Sequence, residues 1–267
     1  MNAPLLAAQE LLVGFGSGKS PCNLFPRFDL EFGSGELVCL LGRNGAGKTT
    51  LLKTLAGIHP KLGGRVFLDG ELSENLGGRE RAQRVALLLT DPGLPPYLLG
   101  RELVALGRTP HAAWFASARA DDEAMVEAVM EDLHCLHLAD RRLGQLSDGE
   151  RQRLCLARAL AQDAPVLLLD EPLAHLDPPA KAELLGLLRD WTRAGEAQGV
   201  HRLVLAAVHE VDLALGYADR CLLLTVGSPP FLGTPEEAAG EPLRRAFPGW
   251  PDFWDPLALR KRRIQNS

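Results

Sequence analysis

Short runs of apolar residues recur along the chain, and the segments between them space their apolar positions as amphipathic helices do. Four runs are too short for a typical helix and too uniformly apolar for a half-exposed strand, so they indicate strands buried on both faces. These runs are ELVCLL (36–41), VALLL (85–89), VLLLD (166–170) and LVLAAV (203–208). Helical spacing occurs at residues 49–56, 101–108, 122–133, 150–161 and 180–191. Strands that alternate with helices predict an α/β fold with a mostly parallel sheet.

Residues 92–160 depart from this alternation, because they hold several helical patterns and no clear strand. We interpret the stretch as a helical subdomain inserted into an α/β domain that covers residues 1–240. Residues 241–267 then form a C-terminal extension, which carries two tryptophans and a basic RKRR run at 260–263. That run is typical of a solvated tail, with contact to anionic lipid as the alternative.

Composition and charge narrow the classes of function. The chain has 267 residues, 46% of them apolar, which is enough for a substantial core. A net charge of −5 and a pI near 5.8 argue against a nucleic-acid partner, which usually meets a basic face. Five scattered cysteines without a CxxC pair are typical of a reducing compartment. The sequence shows neither a membrane-spanning run nor a signal peptide, so we expect a soluble intracellular chain.

Two stretches end in Gly-Lys and a hydroxyl residue, as phosphate-binding loops do: GFGSGKS (14–20) and GRNGAGKTT (42–50). Such a loop needs Gly-x4-Gly-Lys-Ser/Thr between a strand and a helix, so that backbone N–H groups and the helix N-terminus face the phosphates. The second stretch meets every requirement. The first has Val13 where a glycine is required, and Pro21 follows it where a helix should begin. Only the second stretch is predicted to bind phosphate, with Lys48 reaching the β- and γ-phosphates and Thr49 binding Mg²⁺.

Two carboxylates and a histidine follow later strands of the predicted sheet. Asp170 ends the strand VLLLD, where enzymes with such a loop hold Mg²⁺, and Glu171 comes next, placed to polarise an attacking water. His209 ends the following strand, so we expect it beside Glu171 at the same sheet edge.

LSDGERQR (146–153) begins a predicted helix, with Asp148 as its expected cap and Gly149 as a permissive residue. Ser147 and the nearby amides would form an anion site at this helix N-terminus.

Together these segments resemble the nucleotide-binding subunit of ABC transporters. GRNGAGKTT resembles the Walker A motif, LSDGE the LSGGQ signature, VLLLDE Walker B, LAHLD (173–177) the D-loop, and His209 the switch histidine. The resemblance implies a P-loop NTPase core with a mostly parallel sheet, an antiparallel N-terminal β portion and an inserted helical subdomain. It also implies ATP and Mg²⁺ as cofactors.

The resemblance assigns roles to individual residues. Glu171 is the catalytic carboxylate, Lys48 and His209 contact the phosphates, and Thr49 and Asp170 serve Mg²⁺. Two copies close head to tail, so that Ser147 and Gly149 act on the partner's ATP. The remaining residues implied in ATP binding are Gly42, Asn44, Gly45, Ala46, Gly47 and Thr50 of the loop, and Phe15, which stacks on adenine.

Three segments resemble the ATPases of importers for iron chelates, haem and cobalamin: RELVALGRTPH (101–111), LSDGERQRL (146–154) and HEVDLALGYADR (209–220). This implies a homodimer at the cytoplasmic face of the inner or plasma membrane, beneath permease subunits that receive substrate from a binding protein. Other transporter classes, a soluble ABC-type ATPase without a permease, and a regulatory module that hydrolyses little ATP are the alternatives.

The chain departs from the family pattern at three positions. Thr90 stands where the family has a glutamine that reaches Mg²⁺ and the attacking water, so we expect slow or differently coupled hydrolysis. In the signature, Asp148 replaces a glycine and Glu150 a glutamine. We expect the Asp148 carboxylate to turn away from phosphate and cap its own helix.

Overall fold

A six-stranded sheet passes through the centre of the protein and carries the candidate site at one edge. The computed structural model describes residues 4–16, 22–90, 93–111, 120–197 and 199–249. The strands are β1 (Leu6–Leu12), β2 (Gly14–Phe15), β3 (Cys22–Asn23), β4 (Phe28–Phe32), β5 (Glu36–Leu41), β6 (Gly63–Leu68), β7 (Glu71–Leu72), β8 (Val85–Leu88), β9 (Val166–Asp170), β10 (Leu203–Ala207), β11 (Arg220–Leu223) and β12 (Phe231–Gly233). The α-helices are α1 (Lys48–Leu55), α2 (Gly78–Arg84), α3 (Gly100–Ala105), α4 (Ala120–Asp132), α5 (Asp148–Ala161), α6 (Pro178–Ala197), α7 (Val211–Tyr217), α8 (Pro235–Ala238) and α9 (Glu241–Ala246).

The central sheet has the order β12-β11-β5-β10-β9-β8, and its strands are parallel except β12, which pairs antiparallel with β11. Strands β9 and β10 are neighbours in register, with Asp170 opposite Ala207. On its other side β10 pairs with β5, so Ala207 also lies opposite Leu40. Because parallel strands end at the same edge, the residues after β5, β8, β9 and β10 come together there.

Alternating side chains of the central strands enter two separate apolar clusters, one on each face of the sheet. In β5, Leu37, Cys39 and Leu41 point to the cluster formed with α3 to α7, while Val38 and Leu40 point to the opposite cluster. That second cluster includes α1 and strands β1, β4 and β6 of the four-stranded antiparallel sheet β4-β1-β6-β7. Burial on both faces explains why the central strands are uniformly apolar in sequence.

Helices α3, α4 and α5 form a layer that packs against the core on the side of α6 and α7. Within the described residues between 93 and 161, the helices are accompanied by a single isolated β-bridge, Leu99 to Arg142. No helix in the described ranges has the length and apolarity needed to cross a membrane.

The structure confirms the predicted fold class, including the antiparallel N-terminal β portion. The four predicted strands form as β5, β8, β9 and β10, and the five predicted helices form as α1, α3, α4, α5 and α6. The domain boundaries, at residues 92, 160 and 240, stay predictions. Lys19 and Ser20 of the first Gly-Lys stretch and the C-terminal RKRR run lie outside the described residues.

Candidate active site

The loop between β5 and α1 has the backbone geometry of a phosphate cradle. Gly45 and Gly47 have φ of 78° and 93°, in the left-handed region that favours glycine. A Cβ atom on Gly47 would lie 2.8 Å from Leu24 Cδ1, so a side chain there would be both strained and crowded. Helix α1 begins at Lys48, and its free N–H groups and dipole attract an anion at this end.

The Lys48 side chain folds back under the loop, where it is only 6% exposed. Its Nζ donates a hydrogen bond to the Gly42 carbonyl oxygen at 2.9 Å. Burial lowers the pKa of the Lys48 ammonium, while the carboxylates of Glu171 and Asp170 act in the opposite direction. A buried cation of this kind is stabilised by an anion, and the loop amides around it are suited to phosphate.

Asp170 and the hydroxyl of Thr49 form a set of oxygen ligands beside the loop. The Thr49 Oγ1 donates to Asp170 Oδ2 at 2.8 Å, and Asp170 is only 3% exposed. Burial raises the pKa of the Asp170 carboxyl, although the hydrogen bond from Thr49 lowers it. Carboxylate and hydroxyl oxygens are ligands that Mg²⁺ accepts in proteins, and a divalent cation would stabilise the buried carboxylate. These residues therefore fit a magnesium ion.

Thr90 reaches the same carboxylate from the end of the neighbouring strand β8. Its Oγ1 lies 3.4 Å from Asp170 Oδ2 and 3.4 Å from the Asp170 carbonyl oxygen. The threonine side chain therefore contacts Asp170 itself. The Asp170 carboxyl lies between two hydroxyl groups, those of Thr49 and Thr90.

Glu171 and His209 are brought together at the sheet edge, as the strand order predicts. His209 Nε2 lies 2.9 Å from Glu171 Oε1. Glu171 has a φ of 53°, which is uncommon for a residue with a side chain and costs about 1–2 kcal/mol. Strain of this kind is concentrated at functional sites.

One open cleft of about 480 Å³ joins the phosphate loop, Glu171 and Phe15. It is lined by Phe15, Leu24, residues 44–50, Glu171 and His209. The Phe15 ring is 50% exposed and meets the His59 ring edge-to-face at 5.6 Å, while His59 Nε2 lies 2.9 Å from the Gly14 carbonyl oxygen. An exposed ring at one end of a phosphate-binding cleft fits a nucleotide base.

The helix that begins at the signature is capped by Ser147, and the expectation that Asp148 caps it was wrong. Ser147 Oγ accepts a hydrogen bond from the Glu150 N–H at 3.3 Å, and Glu150 Oε2 accepts from the Ser147 N–H at 2.8 Å. The pair is a capping box, and the Ser147 hydrogen bonds lower the pKa of Glu150. The Asp148 carboxylate instead forms an ion pair with Arg151.

Ser147 and Gly149 do not line the cleft around the phosphate loop. Gly149 packs closely on the D-loop, because a Cβ atom there would lie 3.0 Å from the His175 carbonyl oxygen. Their neighbour Asp148 lines a second cavity, together with Thr90 and His175. Sequence reasoning missed two residues that touch the site, His59 beside Phe15 and Gln152 beside Glu171. Gln152 lies within LSDGERQR, but nothing in that segment indicates a contact with the Glu171 backbone.

Comparisons with known proteins agree with this geometry. A protein-family model described as ABC transporter matches residues 25–174. The ferric enterobactin transport ATP-binding protein FepC of Escherichia coli is 36% identical over 233 residues, covering 87% of this chain and 82% of FepC. The hemin import ATP-binding protein HmuV of Pseudomonas aeruginosa is 41% identical over 225 residues, covering 82% and 84% of the two chains.

A solved structure described as a metal-chelate type ABC transporter in an inward-facing conformation superposes with a TM-score of 0.75. That pair is 25% identical, and the match covers 91% of this chain and 89% of the other. The matched family region contains the phosphate loop, the start of α5, both carboxylates and Ala174 of the D-loop. The chain therefore belongs to the ABC transporter family, as an ATP-binding and ATP-hydrolysing subunit.

Proposed function

We propose that the protein is the ATP-hydrolysing motor of an importer for an iron–siderophore complex, haem or cobalamin. The observation that carries the proposal is the single cleft that joins the phosphate loop, Glu171 and His209. The relatives named for ferric enterobactin and hemin transport support the substrate class. In this proposal the protein binds peripherally at the cytoplasmic face of the inner or plasma membrane.

Residues in and beside the cleft have distinct roles in binding ATP in this proposal. Phe15 stacks on the adenine ring, and backbone N–H groups of the phosphate loop face the phosphates. Lys48 exchanges its hydrogen bond to Gly42 for one to the β- and γ-phosphates. Thr49 and Asp170 would hold Mg²⁺, which when bound neutralises charge on the phosphate oxygens.

Glu171 is the residue that polarises the attacking water. A carboxylate can accept the proton of a water as that water attacks the γ-phosphate. His209 contacts Glu171 through one ring nitrogen and, in this proposal, the γ-phosphate as well, so that acid, water and phosphate keep a fixed geometry.

ABC ATPases act as dimers with transmembrane permease partners. We propose a head-to-tail homodimer in which Ser147 and Gly149 of one copy contact the ATP held by the other. The N–H groups at the start of α5 that the capping box does not use support this role, since they attract phosphate. Binding protein and permease select the transported molecule, and closure on ATP drives the permease.

Transport and copurification test the proposal. Deletion of the gene should abolish uptake of labelled haem, of a labelled ferric siderophore or of cobalamin, and wild-type protein should restore it. The tagged chain should copurify with a multi-span membrane protein. Normal uptake of all three substrates would contradict the importer assignment, and failure to copurify would favour a soluble ABC-type ATPase.

Removal of the aromatic ring should weaken ATP binding without stopping catalysis. We expect Phe15→Ala to raise the Kd for ATP about 5- to 150-fold, because stacking on an aromatic side chain contributes about 1–3 kcal/mol. Phe15→Tyr is the matched control and should bind ATP within twofold of wild type. Fluorescence titration with a labelled ATP analogue measures both. An unchanged Kd for Phe15→Ala would show that Phe15 only packs in the sheet.

The substitutions at Thr90 test whether this residue limits turnover. We expect Thr90→Gln to raise the ATPase rate, because the longer amide extends past Asp170 towards the metal and the attacking water. Thr90→Val keeps the shape but removes the hydroxyl bonded to Asp170, and should lower the rate about fivefold, as a net hydrogen bond contributes about 1 kcal/mol. Steady-state phosphate release measures both. If Thr90→Gln increases neither ATPase rate nor transport, the hypothesis of slow hydrolysis fails.

A further inference from the structure

The side chain of Gln152, on the helix that begins at the signature, is buried and contacts the backbone of Glu171. Gln152 lies in the second turn of α5 and is only 7% exposed. Its Nε2 donates a hydrogen bond to the Glu171 carbonyl oxygen at 3.1 Å, between residues far apart in sequence. A buried amide requires a partner, and this one uses the backbone of the residue that polarises water.

The backbone of Glu171 is held in its left-handed conformation by three hydrogen bonds. Its N–H donates to the Ala207 carbonyl oxygen at 3.1 Å, which continues the sheet towards β10. Its carbonyl oxygen accepts from the Ala174 N–H at 3.1 Å, which closes the turn after β9. The bond from Gln152 is the third, and it comes from a side chain on another helix. A strained backbone persists only where its surroundings fix it, so loss of one bond should loosen it.

We propose that Gln152 is a positioning residue of the ATPase reaction, acting through Glu171. Its amide fixes the Glu171 backbone, so that the carboxylate keeps its 2.9 Å contact with His209 and faces the cleft. The proposal rests on the catalytic role given to Glu171 under the proposed function.

This bond also joins two parts of the dimeric site. Ser147 and Gly149, proposed to contact the partner's ATP, lie at the start of the helix that carries Gln152. A shift of α5 by about 1 Å away from the sheet would break the bond, because hydrogen bonds weaken steeply with distance. The position of the signature helix is therefore linked to the backbone of Glu171 in the same chain.

The same helix supplies a matched control for a merely structural role. Gln162 caps the other end of α5, and its Nε2 donates to the Ala82 and Val85 carbonyl oxygens at 2.6 and 3.0 Å. Like Gln152, it ties α5 to the core through backbone carbonyls. It does so at α2 and the start of β8, away from Glu171.

The test compares Gln152→Met with Gln162→Met in the full-length protein, by steady-state ATPase kinetics and thermal unfolding. Methionine keeps the length of the side chain and removes the donor. We expect Gln152→Met to lower kcat about 10- to 100-fold with KM for ATP within twofold, since misplacing a catalytic group by about 1 Å costs up to about 10²-fold. Gln162→Met should keep kcat within twofold while lowering the unfolding temperature at least as much.

Gln152→Glu gives a second readout, which does not depend on the methionine variant folding. An ionised carboxylate cannot donate to the Glu171 carbonyl, whereas a protonated one can. The ratio of variant to wild-type kcat should therefore rise as the pH falls. An active wild type whose kcat is affected equally by Gln152→Met and Gln162→Met, or a flat pH ratio, overturns this inference alone. A wild type without ATPase activity overturns the proposed function with it.

Discussion

Replacing Glu171 by glutamine should lower ATP turnover about 10³-fold, within the range that a positioned general base contributes. The amide has nearly the shape of the carboxylate and can still contact His209 Nε2, so the architecture of the site is retained. It cannot accept a proton from the attacking water. In the proposed site the phosphates are bound by the loop amides and Lys48, and not by the Glu171 carboxylate. The Kd for ATP should therefore stay within a few-fold of wild type.

The chain contains a second carboxylate–imidazole pair that serves as a control. Glu183 Oε1 lies 3.4 Å from His134 Nε2 on the surface formed by α4 and α6, and both side chains are exposed. Glu183→Gln makes the same chemical change outside the cleft and should leave kcat within twofold. Equal activities of Glu171→Gln and wild type would remove Glu171 from the mechanism. If wild type and variant were equally inert, the regulatory alternative would gain support.

The same variant reports on dimer formation. If hydrolysis reopens the dimer, Glu171→Gln should bind ATP and remain closed, and light scattering after gel filtration in ATP should show twice the monomer mass. Ser147→Arg in that background should return the protein to a monomer, because a bulky cation at the start of α5 would block the partner's nucleotide. A monomer in both variants would contradict the proposed dimer.

The strands that were predicted from apolar runs share one physical property. Strands β5, β8, β9 and β10 are covered on both faces, so each is a uniform apolar run that a search of the sequence finds. Strand β4 alternates buried and exposed residues along FDLEF, and β1 is interrupted at Glu10, where φ is 48° and the pairing register shifts. A search for uniform runs does not detect strands of these two kinds.

The contacts of the candidate site also include some that the sequence predicted and some that it did not. The contact between Glu171 and His209 followed from two neighbouring parallel strands that end in polar residues. The cap of α5 was predicted wrongly although Ser147 and Glu150 have the spacing of a capping box, which takes precedence over a single aspartate. His59 and Gln152 reach the site from distant parts of the chain. Only the tertiary structure shows which buried backbone atom a glutamine or histidine contacts.

Replacing Lys48 by alanine should abolish measurable turnover and raise the Kd for ATP at least about 10-fold, because a hydrogen bond between charged groups contributes about 1.5–3 kcal/mol. Lys53→Ala changes the same residue type in the last turn of α1 and should bind ATP as wild type does. Titration with labelled ATP and phosphate release measure the two effects. Wild-type affinity and turnover in Lys48→Ala would exclude the loop as the phosphate site.

Thermal unfolding separates this loss of binding from a loss of folding. Burial lowers the pKa of Lys48, so the lysine amine binds its proton less tightly in the folded protein without nucleotide than in the unfolded chain. The charged ammonium therefore does not stabilise the nucleotide-free fold. Without ATP, Lys48→Ala should therefore unfold at nearly the wild-type temperature. A ligand at about 100 times its Kd stabilises the folded state by about 2.7 kcal/mol, so magnesium-ATP should raise the unfolding temperature of wild type and Lys53→Ala. The same concentration should raise that of Lys48→Ala much less, since this variant lacks the ammonium proposed to bind the phosphates.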